Sequence, residues 1–481
     1  MSKLWASFRT GKNPCTRTGE RCPSSRILHF EIELLFGIVS RLITQLNIGL
    51  IGGGTVGGGL YHALQRNGGL ISSRLGVKLC VSQVAVRNLL KPRPVDIPQA
   101  LLTTDWRAVV ENPETHIVCE LMGGLTTAKA VVTAALKLGK PVVTANKALL
   151  SAYGEELFEL AKQRGGNLYY EASVAGGIPI IKVLREALIG NRITRLYGIV
   201  NGTCNYILTR MKLEGADFGA VLADAQQLGF AEAEPSLDVD GHDAAQKIGI
   251  LASLAHGFWV PPERIHTEGI REVTPLDIQF AAQLGYTIKL IAMVKKFEAG
   301  KSSKSSRIQV SITPTLVPNS HVLANVNHVF NAILVRGDVV GDTLYYGRGA
   351  GQDATASSVL SDIADAALDL RCHTDQRVRA FVPHERDGKV VDIDDTVSRY
   401  YLRLSVIDKP GTLARIAALL GQSKIGISSV IQPEGHEGES VPLILMIHDA
   451  SFSAMRKALT KIARLSVIKG APVLFRVENF E

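Results

Sequence analysis

A run of glycines does most to limit what this chain can become. In "NIGLIGGGTVGGGLYHAL" (Asn47–Leu64) an apolar stretch, a glycine-rich turn and a helix-forming stretch follow without a break. The turn carries Gly52-x-Gly54-x-x-Gly57. Glycine at these places allows a tight turn, close approach of backbone to a pyrophosphate and tight helix packing, with the phosphate at the helix N-terminus. The spacing alone is a weak signal; directly between a strand and a helix it is a dinucleotide fingerprint. The alternation continues through "KLCVSQVAVRN", "HIVCELMGG", "TTAKAVVTAALKLG" and "PVVTANKALL". Strand and helix at this pitch predict a parallel sheet with crossover helices, a Rossmann-type domain over 46–170.

The second strand bears on the choice of cofactor. It ends "AVRN", where a ribose-binding acid is expected, and Arg87 with Asn88 stands there instead. A guanidinium suits a 2′-phosphate, so the reading is NADP, with NAD as the alternative. "TANK" (Thr144–Lys147) follows the apolar "PVV". Ligands of open α/β sheets bind at the carboxyl ends of strands, so Lys147 is placed to meet cofactor or substrate.

Further on, "FAEAEPSLDVDGHDAAQKIGIL" gathers Glu232, Glu234, Asp238, Asp240 and Asp243. Acid-rich loops are usually only solvated. Here Asp243 and Lys247 are spaced i,i+4 on an expected helix, which makes them neighbours. The stripe Ala244, Ile248, Leu251 and Ala255 runs beside them, so the pair borders a buried face where a pKa can be tuned. An acidic pocket that also holds a lysine suits a substrate with an ammonium group and a reacting carbonyl. A purely structural ion pair has the same spacing. "NGTCNYIL" (Asn201–Leu208) sets three turn-favouring residues between two apolar segments, either as a plain loop or as a corner that brings backbone close to a ligand.

At 481 residues the chain has room for about three domains. The second, mixed α+β and expected over 171–370, holds the strands "TIKLIAMVKKF" and "RIQVSITPTLV" around an exposed hairpin loop, "EAGKSSKSSR". A helix after "GRGAGQDATASSVLSDIADAAL" is expected to pack back on the first domain. A linker over 371–399 leads to 400–481, whose βαββαβ order is the ferredoxin-like split unit. Hydrophobic residues at 46% and charged residues at 20% describe a soluble globular chain. Of the net charge of +8, +4 lies in residues 1–45, which hold seven Lys/Arg and three Asp/Glu. The remainder is too mildly basic to suggest nucleic-acid binding. No apolar run reaches the roughly 18 residues of a membrane span. Six scattered cysteines with no CxxC pair point to a reduced, cytoplasmic setting. Residues 1–45 fit neither a signal nor a transit peptide and are read as an extension dispensable for folding.

Taken together, "GLIGGGTVGGG", "AVR", "VVTANKALL", "YEASVAGGIPII", "GIVNGTCNYIL", "AQQLGFAEAEPSLDVDGHDAAQKIGILA" and "GRGAGQDATASSV" resemble homoserine dehydrogenase almost continuously over about 47–365. Residues 400–475 resemble a regulatory ACT module. The resemblance implies NAD(P)-dependent interconversion of L-homoserine and L-aspartate 4-semialdehyde, a step towards threonine, isoleucine and methionine. It implies that Lys247 is the catalytic acid/base, that Lys147 sits at the nicotinamide and substrate end of the cleft, and that Glu232 and Asp243 bind substrate. Gly53, Thr55, Val56, Arg87, Gly229 and Gly349 match cofactor contacts. Glu171, Val174, Gly176 and Ile178 match a sodium site built mainly of main-chain carbonyls, the oxygen ligands a hard cation prefers. "NGTCNYIL" matches a segment lining the cleft. The module implies paired copies, hence a homodimer or homotetramer, with threonine as the expected effector near Asp408, Pro410 and Gly411. The chain departs from the family pattern at Glu234 (usually Asp), at Asn88 (usually Asp), at Gly426 (often Asn) and throughout residues 1–45. Two other readings stay open: an oxidoreductase for another small amino aldehyde, and a non-catalytic amino-acid sensor. Lys147 and Lys247 count against the sensor.

Overall fold

The computed structural model describes residues 44–297, 306–374, 376–434, 436 and 438–480. The expected N-terminal extension lies almost wholly outside the described residues, and so does the hairpin loop over 298–305.

The glycine-rich turn opens the parallel sheet that its neighbours predict. Strand β1 (Gln45–Ile51), helix α1 (Thr55–Leu75), β2 (Lys78–Ala85), β3 (Leu102–Thr103), α2 (Trp106–Glu111), β4 (Ile117–Glu120), α3 (Thr126–Lys137), β5 (Val142–Thr144), α4 (Lys147–Arg164) and β6 (Leu168–Tyr169) follow in order. The strands align as β3-β2-β1-β4-β5-β6, all parallel. The order reverses between β1 and β4, and the carboxyl ends of those two strands frame the crevice where such sheets take ligands. β4 is buried along its whole length, as a strand covered on both faces must be.

The second body is built on an antiparallel sheet. It comprises β7 (Ile193–Ile199), α5 (Gly202–Glu214), α6 (Phe218–Gln227), α7 (His242–His256), β8 (His266–Thr267), α8 (Pro275–Gln283), β9 (Tyr286–Phe297), β10 (Arg307–Pro318), β11 (Phe330–Gly337), β12 (Gly341–Arg348) and α9 (Gln352–Arg371). Helices α5, α7 and α8 pack on this sheet, and α7 also packs on α4 of the first body. Helix α9 does return to the first domain: a methyl group on Gly59 of α1 would crowd Gln352 and Ala356, and Arg371 donates to the Leu75 carbonyl. One hydrophobic core runs through both bodies.

The C-terminal residues form β13 (Lys389–Val390), β14 (Val397–Ile407), α10 (Thr412–Gln422), β15 (Ile427–Ile431), β16 (Ser440–Ser451), α11 (Phe452–Ile462) and β17 (Ile468–Val477). The order β17-β14-β16-β15 is that of the ferredoxin-like unit. This unit is not free-standing. Strand β17 pairs in parallel with β10, Thr315 with Arg476 and Leu316 with Val477, so both units share an 11-stranded sheet. Asp277 of α8, 0% exposed, accepts Arg403 Nε at 2.6 Å, Arg403 Nη2 at 3.0 Å and the Tyr401 hydroxyl at 3.0 Å, both partners on β14. Nor does the 371–399 stretch hang free. Phe381 stacks on Phe158 of α4, the Tyr170 hydroxyl donates to the Ala380 carbonyl, and β13 pairs with β10. Among the described residues no helix is long and apolar enough to cross a membrane.

Removing one partner of a buried ion pair leaves the other charge uncompensated. Arg403→Ala should therefore lower the unfolding free energy by about 3 kcal/mol. A urea titration reads this directly. A loss typical of exposed pairs, below about 1 kcal/mol, would mean that the seam does not depend on this contact.

Candidate active site

Three element ends meet where β5 gives way to α4, β7 gives way to α5, and α7 begins. Each end is fixed by local chemistry. Asn146 follows β5 and caps α4, its Oδ1 accepting from Leu149 N at 3.1 Å, which makes Lys147 the first helical residue. Asn201 follows β7 and caps α5 in the same way through Cys204 N at 2.8 Å. Gly241, at φ 86°, turns the chain into α7, whose first turn carries Asp243. The "NGTCNYIL" corner is thus a capped helix start.

Asp243 is the centre of the cluster. It is buried, yet Lys247 Nζ at 2.7 Å and Asn201 Nδ2 at 2.8 Å donate to Oδ2, and Lys147 Nζ forms an ion pair with Oδ1 at 3.2 Å. Burial pushes the carboxyl up, but the Lys247 and Lys147 ammoniums and the hydrogen bonds outweigh it, and Asp243 sits below the ordinary aspartate value. Lys247 Nζ also donates to the Val200 carbonyl at 2.8 Å. The i,i+4 neighbourhood expected of Asp243 and Lys247 is therefore real, and Lys147 joins it from a different domain. Asn201 Nδ2 makes a second bond, to Asp238 Oδ1 at 2.7 Å. Burial, with the Asp243 charge adding to it, raises the Asp238 carboxyl despite that bond.

Glu232 stands apart. It is exposed on the loop after α6, and among the described residues no side-chain hydrogen bond or ion pair joins it to the cluster. Two residues that the sequence reading did not assign prove central here. Asn201 links two carboxylates. Glu120, fully buried at the end of β4, accepts from Met122 N, Gly123 N and the Thr144 hydroxyl, tying together the ends of β4 and β5. Its only sequence signal was an acid inside the apolar run "HIVCELM".

The glycine turn fits a dinucleotide. A methyl group on Gly52 would press on the Leu121 carbonyl, and one on Gly57 would overlap the Gly52 carbonyl oxygen. One on Gly53 would touch Val86, whereas Gly54 faces open space. Helix α1 starts at Thr55 and Val56 with no side-chain cap, so its first N–H groups remain available to a phosphate. Arg87 is exposed beyond β2, where Arg93 closes the loop by donating to the Asn88 and Leu89 carbonyls. Gly229 takes φ 75° after α6, and Gly349 lies between Gly176 and Asn331.

Around Glu171 the chain turns tightly, with Ala175 at φ 53° and Gly176 at φ 42°. The Glu171 carboxylate accepts from Ile181 N and Lys182 N, and burial pushes its pKa up to about 7. The Gly176 and Ile178 carbonyls each accept one hydrogen bond, from Ser358 Oγ and Ile180 N. Among the described residues no group of three or more His, Cys, Asp or Glu is gathered for a metal.

Known proteins resemble this chain over most of its described length. A family model described as "Homoserine dehydrogenase, NAD binding domain" matches residues 52–171, and one described as "Homoserine dehydrogenase" matches 179–364. A homoserine dehydrogenase of Pseudomonas aeruginosa is 42% identical over 90% of this chain and 99% of its own length. One of Synechocystis is 44% identical with the same coverage. The crystal structure of a homoserine dehydrogenase from Thiobacillus denitrificans superposes with a TM-score of 0.84 at 42% identity, covering 91% of this chain and 99% of that one. A hyperthermophilic archaeal homoserine dehydrogenase solved in complex with NADPH is 29% identical with a TM-score of 0.56, over 68% of this chain and 98% of its own.

The glycines separate structural from ligand-facing roles. Gly57→Ala should lower the melting temperature, because its methyl has nowhere to go. Gly54→Ala should leave melting unchanged but weaken binding of a dinucleotide. Parallel melts and fluorescence titrations with NADPH check this; equal stability losses in both variants would contradict it.

Proposed function

This chain belongs to the homoserine dehydrogenase family, and on that premise we propose that it interconverts L-aspartate 4-semialdehyde and L-homoserine, with Lys247 as the proton-transferring residue. The observation carrying the assignment is the buried Asp243 with a lysine on each oxygen. A bound nicotinamide supplies the hydride for reduction and accepts it in reverse. The backbone at Gly52–Gly57 and the start of α1 would hold its phosphates. An ammonium has three donors. Two of those on Lys247 are taken by Val200 and Asp243, which leaves one for the aldehyde oxygen. As negative charge develops there, Lys247 neutralises it and delivers the proton. Lys147, half-buried and paired with Asp243, has donors to polarise the same oxygen or hold the substrate carboxylate.

Asp243 accepts two hydrogen bonds and pairs with Lys147, and on this reading it serves the lysines. The substrate ammonium is assigned to Glu232, from the exposed loop, and to Asp238 Oδ2, which has no hydrogen bond among the described residues; charge there positions the substrate.

NADP preference rests on Arg87 and the missing acid. A sodium ion held by the carbonyls of Glu171, Val174, Gly176 and Ile178 would brace the turn beside Gly349. Support comes from the positive-φ turn and from Asn331, 1% exposed against Gly349, whose amide atoms have no partner among the described residues. The C-terminal unit reads as an ACT domain in a homodimer or homotetramer. The uncapped start of α10 after Gly411, at φ 83°, supports a carboxylate effector such as threonine. The scattered free cysteines support a cytoplasmic setting.

The decisive experiment is a steady-state assay with aspartate semialdehyde and each nicotinamide cofactor, with and without threonine. Lys247→Ala should cut kcat by roughly 100-fold or more, the range of a lost acid–base group. A mutant with near-normal kcat would remove Lys247 from the mechanism. Wild type should show the higher kcat/KM with NADPH, and Arg87→Ala should narrow that gap. A preference for NADH would make Arg87 an ordinary surface charge.

A further inference from the structure

Asn201 carries more hydrogen bonds than a helix cap needs. Capping α5 uses only its Oδ1, which accepts Cys204 N at 2.8 Å. Because that partner is a donor, the amide orientation is fixed, and both Nδ2 hydrogens face the other way. They meet Asp238 Oδ1 at 2.7 Å and Asp243 Oδ2 at 2.8 Å. Asn201 is 5% exposed. Ser, Thr or Asp would cap the helix equally well. None of them supplies two N–H donors on the far side. The residue type is therefore chosen for the carboxylates, not for the cap.

We propose, building on the function assigned above, that Asn201 is a positioning residue that holds Asp238 and Asp243 side by side, Asp238 for the substrate ammonium and Asp243 for the two lysines. Without the shared amide, two carboxylates on one nitrogen would repel each other across a low-dielectric site. Asp243 would stay on its lysines. Among the described residues the Asp238 side chain has the Asn201 bond alone, so it would lose its orientation. The titratable and charged groups around Asp238 are Lys147 on α4, Cys204 on α5, whose thiol donates to the Asp238 carbonyl, and Asp243 and Lys247 on α7. Of these, the lysines favour the charged carboxylate and Asp243 opposes it. The Asn201 bond lowers the Asp238 pKa, so removing it lets burial and Asp243 raise that pKa further. The protonated acid then appears at higher pH.

The test is Asn201→Ser, which keeps a capping oxygen and removes both N–H donors, with Asn201→Asp as a second variant. For Asn201→Ser we expect near-wild-type melting, KM for aspartate semialdehyde raised roughly tenfold, as for one lost hydrogen bond to a charged group, and little change in kcat. The rise in KM on acidification should begin at higher pH than in wild type. Asn201→Asp, which sets a third carboxylate against two, should raise KM further. A wild-type KM and pH profile in Asn201→Ser would reduce Asn201 to a cap and overturn the inference alone. An inactive wild-type chain that also fails to bind homoserine by calorimetry would overturn the functional reading and this inference with it.

Discussion

The buried carboxylate of Asp243 is the contact from which the rest of the site is arranged. Taking a carboxylate out of water costs several kcal/mol unless charge and hydrogen bonds replace the solvent. Here the replacement comes from three elements: Lys147 at the start of α4, Asn201 at the start of α5 and Lys247 on α7 itself. Each donor belongs to a segment fixed by its own packing. The carboxylate can therefore be satisfied only when the parallel sheet, the antiparallel sheet and α7 are docked in one arrangement. Counting Asp238, the cluster carries two ammoniums and two carboxylates, so its net charge is zero. That balance suits a substrate which is itself zwitterionic and reacts at a neutral carbonyl.

A second buried carboxylate does similar work at the seam with the C-terminal unit. Asp277 is capped into α8 through Thr274 and clamped from β14 by Arg403 and Tyr401. Helix α8 packs against α5, and α5 starts at Asn201. The sheet is continuous across the same seam through β10 and β17. The tail beyond β17 is also held: Glu478 pairs with Lys295, and Phe480 stacks on His321 with ring centroids 3.9 Å apart. An effector on the C-terminal unit would therefore act on the site through packed elements rather than across a flexible tether. Coupling in that sense requires two arrangements of the seam with different affinity for the effector. At this seam Arg403 holds Asp277 by two hydrogen bonds from one guanidinium.

How much of this was legible in the sequence follows from distance along the chain. The glycine fingerprint, the strand–helix alternation and the i,i+4 pair of Asp243 and Lys247 are local patterns, and the structure has them where the periodicity put them. The βαββαβ order was equally local; its merger into the neighbouring sheet was not, because two residue pairs between β10 and β17 leave no periodic trace. Asn201 meets Asp238 and Asp243 across 37 and 42 residues, and Arg403 meets Asp277 across 126. No spacing rule reaches that far. The resemblance named the lysines and Asp243 but treated Asp243 as a substrate ligand. In the structure Asp243 takes hydrogen bonds from Lys247 and Asn201 on one oxygen and an ion pair with Lys147 on the other. Glu120 was hidden for another reason: a buried acid in an apolar strand reads as noise until the amides that satisfy it are seen.

Lys147 breaks a local rule, and the break is informative. An ammonium in the first turn of a helix faces the positive end of the macrodipole, an unfavourable placement by roughly 0.3–1 kcal/mol. Asp243 is in the opposite position, an acid in the first turn of α7, where the dipole favours it. The two helix starts face each other, so the carboxylate favoured by α7 compensates the ammonium disfavoured by α4. A lysine on a flexible loop could make the same ion pair without that cost, but its side chain would have no fixed root. Rooting Lys147 at a capped helix start, directly beyond a buried strand, fixes its Cα to the sheet and leaves only the side chain to move. Local propensity gives way where the position of a charge matters more than the stability of the helix that carries it.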